Sequence, residues 1–288
     1  MSTPSLVTTA WLATEMGRPD LQVLDGTYFL PAMKRDGHAE FKAGHIPGAA
    51  FFDIDAIADK SSPLPHMLPT PEQFEAAVGD LGVGNETQVV VYDTFGLMSA
   101  ARVWWMFRVF GHSRVAVLDG GLPKWIAEGR PLATGDAAPP AKQFKATFQP
   151  HLVRSSDQVL ANIGAGAEQV VDARAAGRFE GSEAEIWPGR RAGHIPGSRN
   201  LPFTDLLDPG TKTVRSRQDI AARVRDAGLD PTRPVVASCG SGVTACVVAL
   251  GLDLIGAPQV AVYDGSWAEW GLPSSNLPVE TGPAQPSA

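Results

Sequence analysis

The chain has 288 residues, a formal net charge of -7 and 44% hydrophobic residues, which excludes a disordered chain and a collagen-like repeat. The negative sign argues against sequence-independent binding of nucleic acid. Two cysteines exclude a disulfide-stapled scaffold and a cysteine-rich zinc domain, and they fit a reducing compartment such as the cytoplasm.

The predicted elements repeat along the chain. LQVLDG, ending near Asp25, reads as a buried strand, and GHIPGA follows at Gly44. Thr70-Pro71-Glu72-Gln73 is a capping box that opens a helix carrying Phe74, Ala77, Val78 and Leu81. TQVVVYD closes a strand at Asp93, and Ser99 to Phe110 predicts the helix after it. VAVLDGGLPKW then carries Asp119. Residues 131–150 are rich in Ala and Pro without periodicity and predict a linker.

In the second half EQVVDA carries Asp172, and GHIPGS begins at Gly193. Ser216 is an N-cap candidate ahead of Ile220, Val224 and Leu229. RPVVASC ends at Cys239, and VAVYDGSWAEW carries Asp264. Four matches in one order, offset by 145 to 149 residues, indicate a duplicated domain. Strands alternating with helices predict an α/β fold, each copy a parallel sheet flanked by helices. The expected domains are 1–130 and 151–280, with a loose tail over 281–288. The N-terminus has no basic run ahead of its apolar residues, so no secretory signal is expected. The apolar stretch Val235 to Leu252 is interrupted by Ser238, Gly240, Ser241, Gly242 and Thr244. It predicts a strand, a tight loop and a helix in place of a membrane span.

The duplicated loops differ where chemistry could sit. One reads Asp93-Thr94-Phe95-Gly96, the other Cys239-Gly240-Ser241-Gly242-Val243-Thr244. A cysteine between a strand and a Gly-rich helix start meets converging backbone N–H groups, which favour a thiolate. Cys246 falls inside the following helix among Val and Ala and predicts core packing. A cysteine phosphatase would need an Arg closing the loop where Ala245 stands. His45 and His194 belong to the repeated GHIPG turns and read as structural histidines, not metal ligands.

CGSGVTA together with GHIPG and DGSWAEW resembles the tandem-domain rhodanese family, and within it the branch using 3-mercaptopyruvate as sulfur donor. The resemblance implies two rhodanese-like domains, only the second catalytic. Cys239 would attack the donor sulfur, carry it as a persulfide and release pyruvate. The acceptor would be thioredoxin, a small thiol or cyanide. Gly240, Gly242, Val243 and Thr244 would cradle the sulfur, and Arg178 would hold the carboxylate. The family's second Arg precedes GHIPG; here Trp187 stands there, with Arg190 and Arg191 nearby. A Ser-His-Asp relay would map to Ser241, His66 and Asp55, the latter two from the first domain, placing the active site at the domain interface. No metal or organic cofactor is implied, and no nucleic-acid or membrane partner is expected. The loop lacks a cation, which favours mercaptopyruvate over the thiosulfate dianion. The rival readings are a thiosulfate:cyanide sulfurtransferase and a non-catalytic sulfur carrier or regulatory module.

Overall fold

The computed structural model describes residues 4–284. They form two units. Unit 1 holds the chain up to Lys60, Leu68–Gln149 and Pro209–Val214. Unit 2 holds Ser61–Met67, Pro150–Asp208 and the chain from Arg215 onward.

Unit 1 runs β1 (Leu6–Val7), α1 (Thr9–Glu15), β2 (Leu21–Asp25), α2 (Gly37–Ala43), β3 (Ala49–Phe51), α3 (Ile54–Ile57), α4 (Pro71–Asp80), β4 (Gln88–Tyr92), α5 (Ala100–Val109), β5 (Val115–Leu118) and α6 (Gly121–Ala127). Its sheet has the order β1-β5-β4-β2-β3, and every pairing is parallel. Unit 2 runs β6 (Val153–Arg154), α7 (Ser156–Ala165), β7 (Gln169–Asp172), α8 (Ala176–Glu180), β8 (Arg199–Asn200), α9 (Arg217–Asp226), β9 (Val235–Ser238), α10 (Ala245–Leu254), β10 (Val260–Tyr263) and α11 (Ser266–Trp270). Its order, β6-β10-β9-β7-β8, is the same order in the second copy, again all parallel.

Local chemistry explains the elements. Helices cover the sheets, so β4 and β9 are buried along Val89–Tyr92 and Val235–Ser238 and read as continuous apolar runs. Thr70 and Gln73 close a full capping box at α4, as the sequence predicts. Ser216 caps α9 by accepting the Asp219 N–H at 3.1 Å. The apolar stretch after Val235 divides into β9, a loop over 239–244 and the ten-residue α10. Among the described residues no helix is long and apolar enough to cross a membrane.

Two expectations change. Residues 131–149 are not a free linker, because they pack along unit 1. Ala133 and His45 exchange backbone hydrogen bonds, Trp125 Nε1 donates to the Pro131 carbonyl, and Phe144 is buried. The C-terminal segment does the same in unit 2. Glu280 exchanges backbone hydrogen bonds with His194, and Trp270 Nε1 donates to the Pro278 carbonyl at 2.7 Å. In each copy this returning segment pins the GHIPG turn, so docking satisfies backbone groups that a loose chain would leave to water. Of the expected tail, Gly282 donates its N–H to the Glu180 carbonyl at 2.8 Å, and residues 285–288 lie outside the described residues. The GHIPG histidines are structural, as expected. His45 stacks on Phe41 and hydrogen-bonds its carbonyl through Nδ1, and His194 does so with Phe179.

Candidate active site

Cys239 leaves the C-terminal end of β9, the end at which parallel sheets bind ligands. It is 1% exposed. The Cys239 N–H donates to Ser266 Oγ at 3.1 Å, and its carbonyl accepts the Trp267 N–H at 3.0 Å. Ser266 Oγ in turn donates to the Tyr263 carbonyl at 2.8 Å. The start of α11 therefore fixes the backbone carrying the sulfur. The carbonyl of Gly240 accepts the Ala268 N–H at 2.8 Å, extending the same clamp.

The loop must be glycine-rich for two separate reasons. Gly242 has φ +76°, the left-handed region that L side chains avoid. A side chain on Gly240 would meet Arg178 Nη2 at 3.1 Å and Trp187 Nε1 at 3.3 Å. The glycine thus lets a cation and an indole N–H lie directly on the residue beside Cys239. Cys246, the second residue of α10, is fully buried and donates its S–H to the Gly242 carbonyl at 3.2 Å, a packing role as predicted.

Arg178 is oriented from behind. Its Nη2 donates to Glu185 Oε2 at 2.6 Å, and Glu185 also accepts Arg174 Nη1 at 2.5 Å. Arg174, fully buried, pairs with Asp172 at 2.7 Å and lies over the Trp267 ring. This buried network of two guanidiniums and two carboxylates balances its charge, as burial requires. Arg178 Nε is buried without a hydrogen-bond partner, and so is Trp187 Nε1.

The remaining predicted residues divide. His66 lies in the Ser61–Met67 segment, which belongs to unit 2 although it precedes most of unit 1 in sequence. It is buried, and its ring sets its edge against Trp187 at 5.9 Å between centroids. Ser241 is buried within the loop. Arg190 Nε donates to the Ala268 carbonyl, the residue that clamps Gly240. Arg191 turns elsewhere, donating to the carbonyls of Leu277 and Trp270 and to Ser275 Oγ. Asp55 belongs to unit 1, on α3; burial, and after it the Asp55 charge, pushes the Tyr28 phenol up. Glu185 and Ser266 were missed by sequence reasoning. A carboxylate two residues from Trp187 in EIWPGRR was the one available signal for the first. Among the described residues no group of His, Cys, Asp and Glu could hold a metal.

Unit 1 shows what this loop design does to an anion. Asp93 occupies the position of Cys239. Its carboxylate accepts the N–H of Phe95 at 2.9 Å, of Met98 at 2.7 Å and of Ala100 at 2.8 Å. Loop and helix start thus converge their amides on one carboxyl group. The backbone clamp is duplicated too, since the Asp93 carbonyl accepts the Leu122 N–H at 3.0 Å as that of Cys239 accepts Trp267.

Comparison with known proteins identifies the family of the chain. A human 3-mercaptopyruvate sulfurtransferase is 47% identical over 272 residues, covering 92% of this chain and 91% of its own. A thiosulfate sulfurtransferase from Gallus gallus is 45% identical, covering 92% of this chain and 93% of its own. The crystal structure of SseA from Escherichia coli, described as a 3-mercaptopyruvate sulfotransferase of rhodanese fold, superposes with a TM-score of 0.85. It is 40% identical and covers 92% of this chain and 99% of that one. The rhodanese-like domain model matches residues 8–128 and again 155–272. The chain belongs to the rhodanese family, with one rhodanese-like domain in each half.

Proposed function

We propose that this protein is a 3-mercaptopyruvate sulfurtransferase working through a persulfide on Cys239. The Cys239 thiolate attacks the sulfur of 3-mercaptopyruvate. The S–S bond forms as the C–S bond breaks, and that electron pair becomes the enolate of pyruvate. A proton on carbon completes pyruvate, and His66 is its proposed source. The persulfide then gives its outer sulfur to a thiol, thioredoxin among them, or to cyanide, and Cys239 returns as thiolate. Splitting the transfer in two is ordinary covalent catalysis. Arg178 holds the donor's carboxylate, and the backbone from Gly240 to Thr244 cradles the sulfur. Arg190 stands at the rim through Ala268. The reading places the protein in the cytoplasm, where the thiol stays reduced.

The observation carrying this reading is the Asp93 carboxylate held by three loop amides. The second copy follows the equivalent strand with a loop one residue shorter and has Cys239 at the position of Asp93. A thiosulfate reading draws on the Gallus gallus relative. Against it, Gly240 to Thr244 bring no cation for a dianion.

The test supplies each donor with cyanide and measures thiocyanate. A higher kcat/KM with 3-mercaptopyruvate is expected; a much higher value with thiosulfate would overturn the donor assignment. Mass spectrometry after mixing with 3-mercaptopyruvate should find one added sulfur atom on the Cys239 peptide. Cys239→Ser should abolish both signals, and activity retained by that variant would end the mechanism.

A further inference from the structure

We propose that Trp187 is a specificity-determining residue, its indole N–H reserved for the ketone oxygen of the donor. The inference rests on the proposed function and goes beyond it. Buried indole N–H groups normally find an acceptor. In unit 2 Trp267 donates to the Arg191 carbonyl at 2.9 Å and Trp270 to the Pro278 carbonyl at 2.7 Å. Trp187 is the exception, since its Nε1 is buried with no partner. That same atom is the one a side chain on Gly240 would meet at 3.3 Å, next to the residue bearing the sulfur. The buried, unpartnered Arg178 Nε belongs to the guanidinium whose Nη2 would meet that side chain at 3.1 Å.

Two kinds of donor therefore lie against Gly240, the residue next to Cys239. One is a charged guanidinium, suited to a carboxylate. The other is a neutral N–H on an apolar ring, suited to an uncharged carbonyl. A 2-oxo acid presents that pair of acceptors on adjacent carbons. The negative charge of the leaving enolate collects on the former ketone oxygen, so the indole N–H is strengthened as a partner during C–S cleavage. Thiosulfate has no carbonyl, and its charged oxygens would face an indole where a second cation is wanted. The neighbouring cation does not fill this gap, because Arg190 is tied to the carbonyls of Ala268 and Pro188.

The test uses the full chain and three proteins: wild type, Trp187→Phe and Trp187→Arg. Trp187→Phe keeps an aromatic ring and removes the N–H. It should lower kcat/KM for 3-mercaptopyruvate about tenfold to a hundredfold, the scale of an unpaired buried acceptor, and change that for thiosulfate far less. Trp187→Arg should shift the donor ratio toward thiosulfate. Calorimetry with pyruvate and with acetate gives a readout independent of turnover. Trp187→Phe should weaken pyruvate, which has the ketone, and leave acetate unchanged. A donor ratio and a pyruvate affinity both unchanged in Trp187→Phe would overturn the role of Trp187 while leaving the proposed function intact. Wild type without 3-mercaptopyruvate turnover would overturn the reading underneath both.

Discussion

The Asp93 carboxylate accepts the N–H of Ala100, the first residue of α5, at 2.8 Å. Burial pushes its carboxyl pKa up, and the backbone donors oppose that by favouring the charged form. The carboxyl group thus ties the loop of unit 1 together through its backbone donors. Asp93→Ala leaves three N–H groups without their acceptor and should cost about 2–3 kcal/mol. Urea unfolding measures this; an unchanged midpoint would show that the carboxylate does not hold the loop.

Asp25 supplies a pH prediction. Its counterpart Asp172 is paired with Arg174, but the position of that Arg holds Thr27 in unit 1. Without a cation, burial raises the Asp25 carboxyl from 3.8 to about 6. The folded chain then binds the proton more tightly than the unfolded one between about pH 4 and pH 6, so this group removes stability as pH rises through that window. The loss approaches about 3 kcal/mol. Asp25→Asn keeps the acceptor for the Thr27 N–H. It should flatten the pH 4 to 6 slope of the unfolding midpoint; a slope equal to wild type would remove Asp25 as its cause.

Glu185 is a positioning residue, joining Arg174 to Arg178. Glu185→Gln keeps the shape and loses the charge that aims Arg178. KM for 3-mercaptopyruvate should rise about tenfold, with kcat changed much less, the size of one charge-assisted hydrogen bond. Steady-state kinetics beside a thermal melt separates the roles. A lowered Tm with KM unmoved would make Glu185 purely structural.

His66 has φ +60°, a left-handed backbone that Asn tolerates better than Ala. His66→Asn should therefore preserve the turn while removing the proposed proton donor. Turnover with 3-mercaptopyruvate should fall about a hundredfold, within the usual range for acid catalysis. Single-turnover release of pyruvate measures the step itself. Undiminished release would rule out His66 as the proton source.

Much of this protein was legible from residues alone. The GHIPG turns, the Thr70 capping box and the Asp93/Cys239 contrast are local patterns, and local patterns follow from backbone sterics and short-range hydrogen bonds. They were enough for two parallel sheets and for singling out Cys239. Residues 131–149 show the limit. Their Ala/Pro composition carries no periodicity, yet backbone pairing with His45 docks them. His66 shows it again, because its sequence neighbours do not reveal that its segment packs with unit 2. Trp187 was visible as a departure from the family pattern, but its unpartnered N–H against Gly240 was not. Whether a buried donor is satisfied depends on atoms far away in sequence that folding brings within about 3 Å, and no local pattern encodes that distance. The sequence by itself determined the duplicated fold and singled out Cys239 as the candidate nucleophile. Tertiary structure alone decided which groups surround that sulfur.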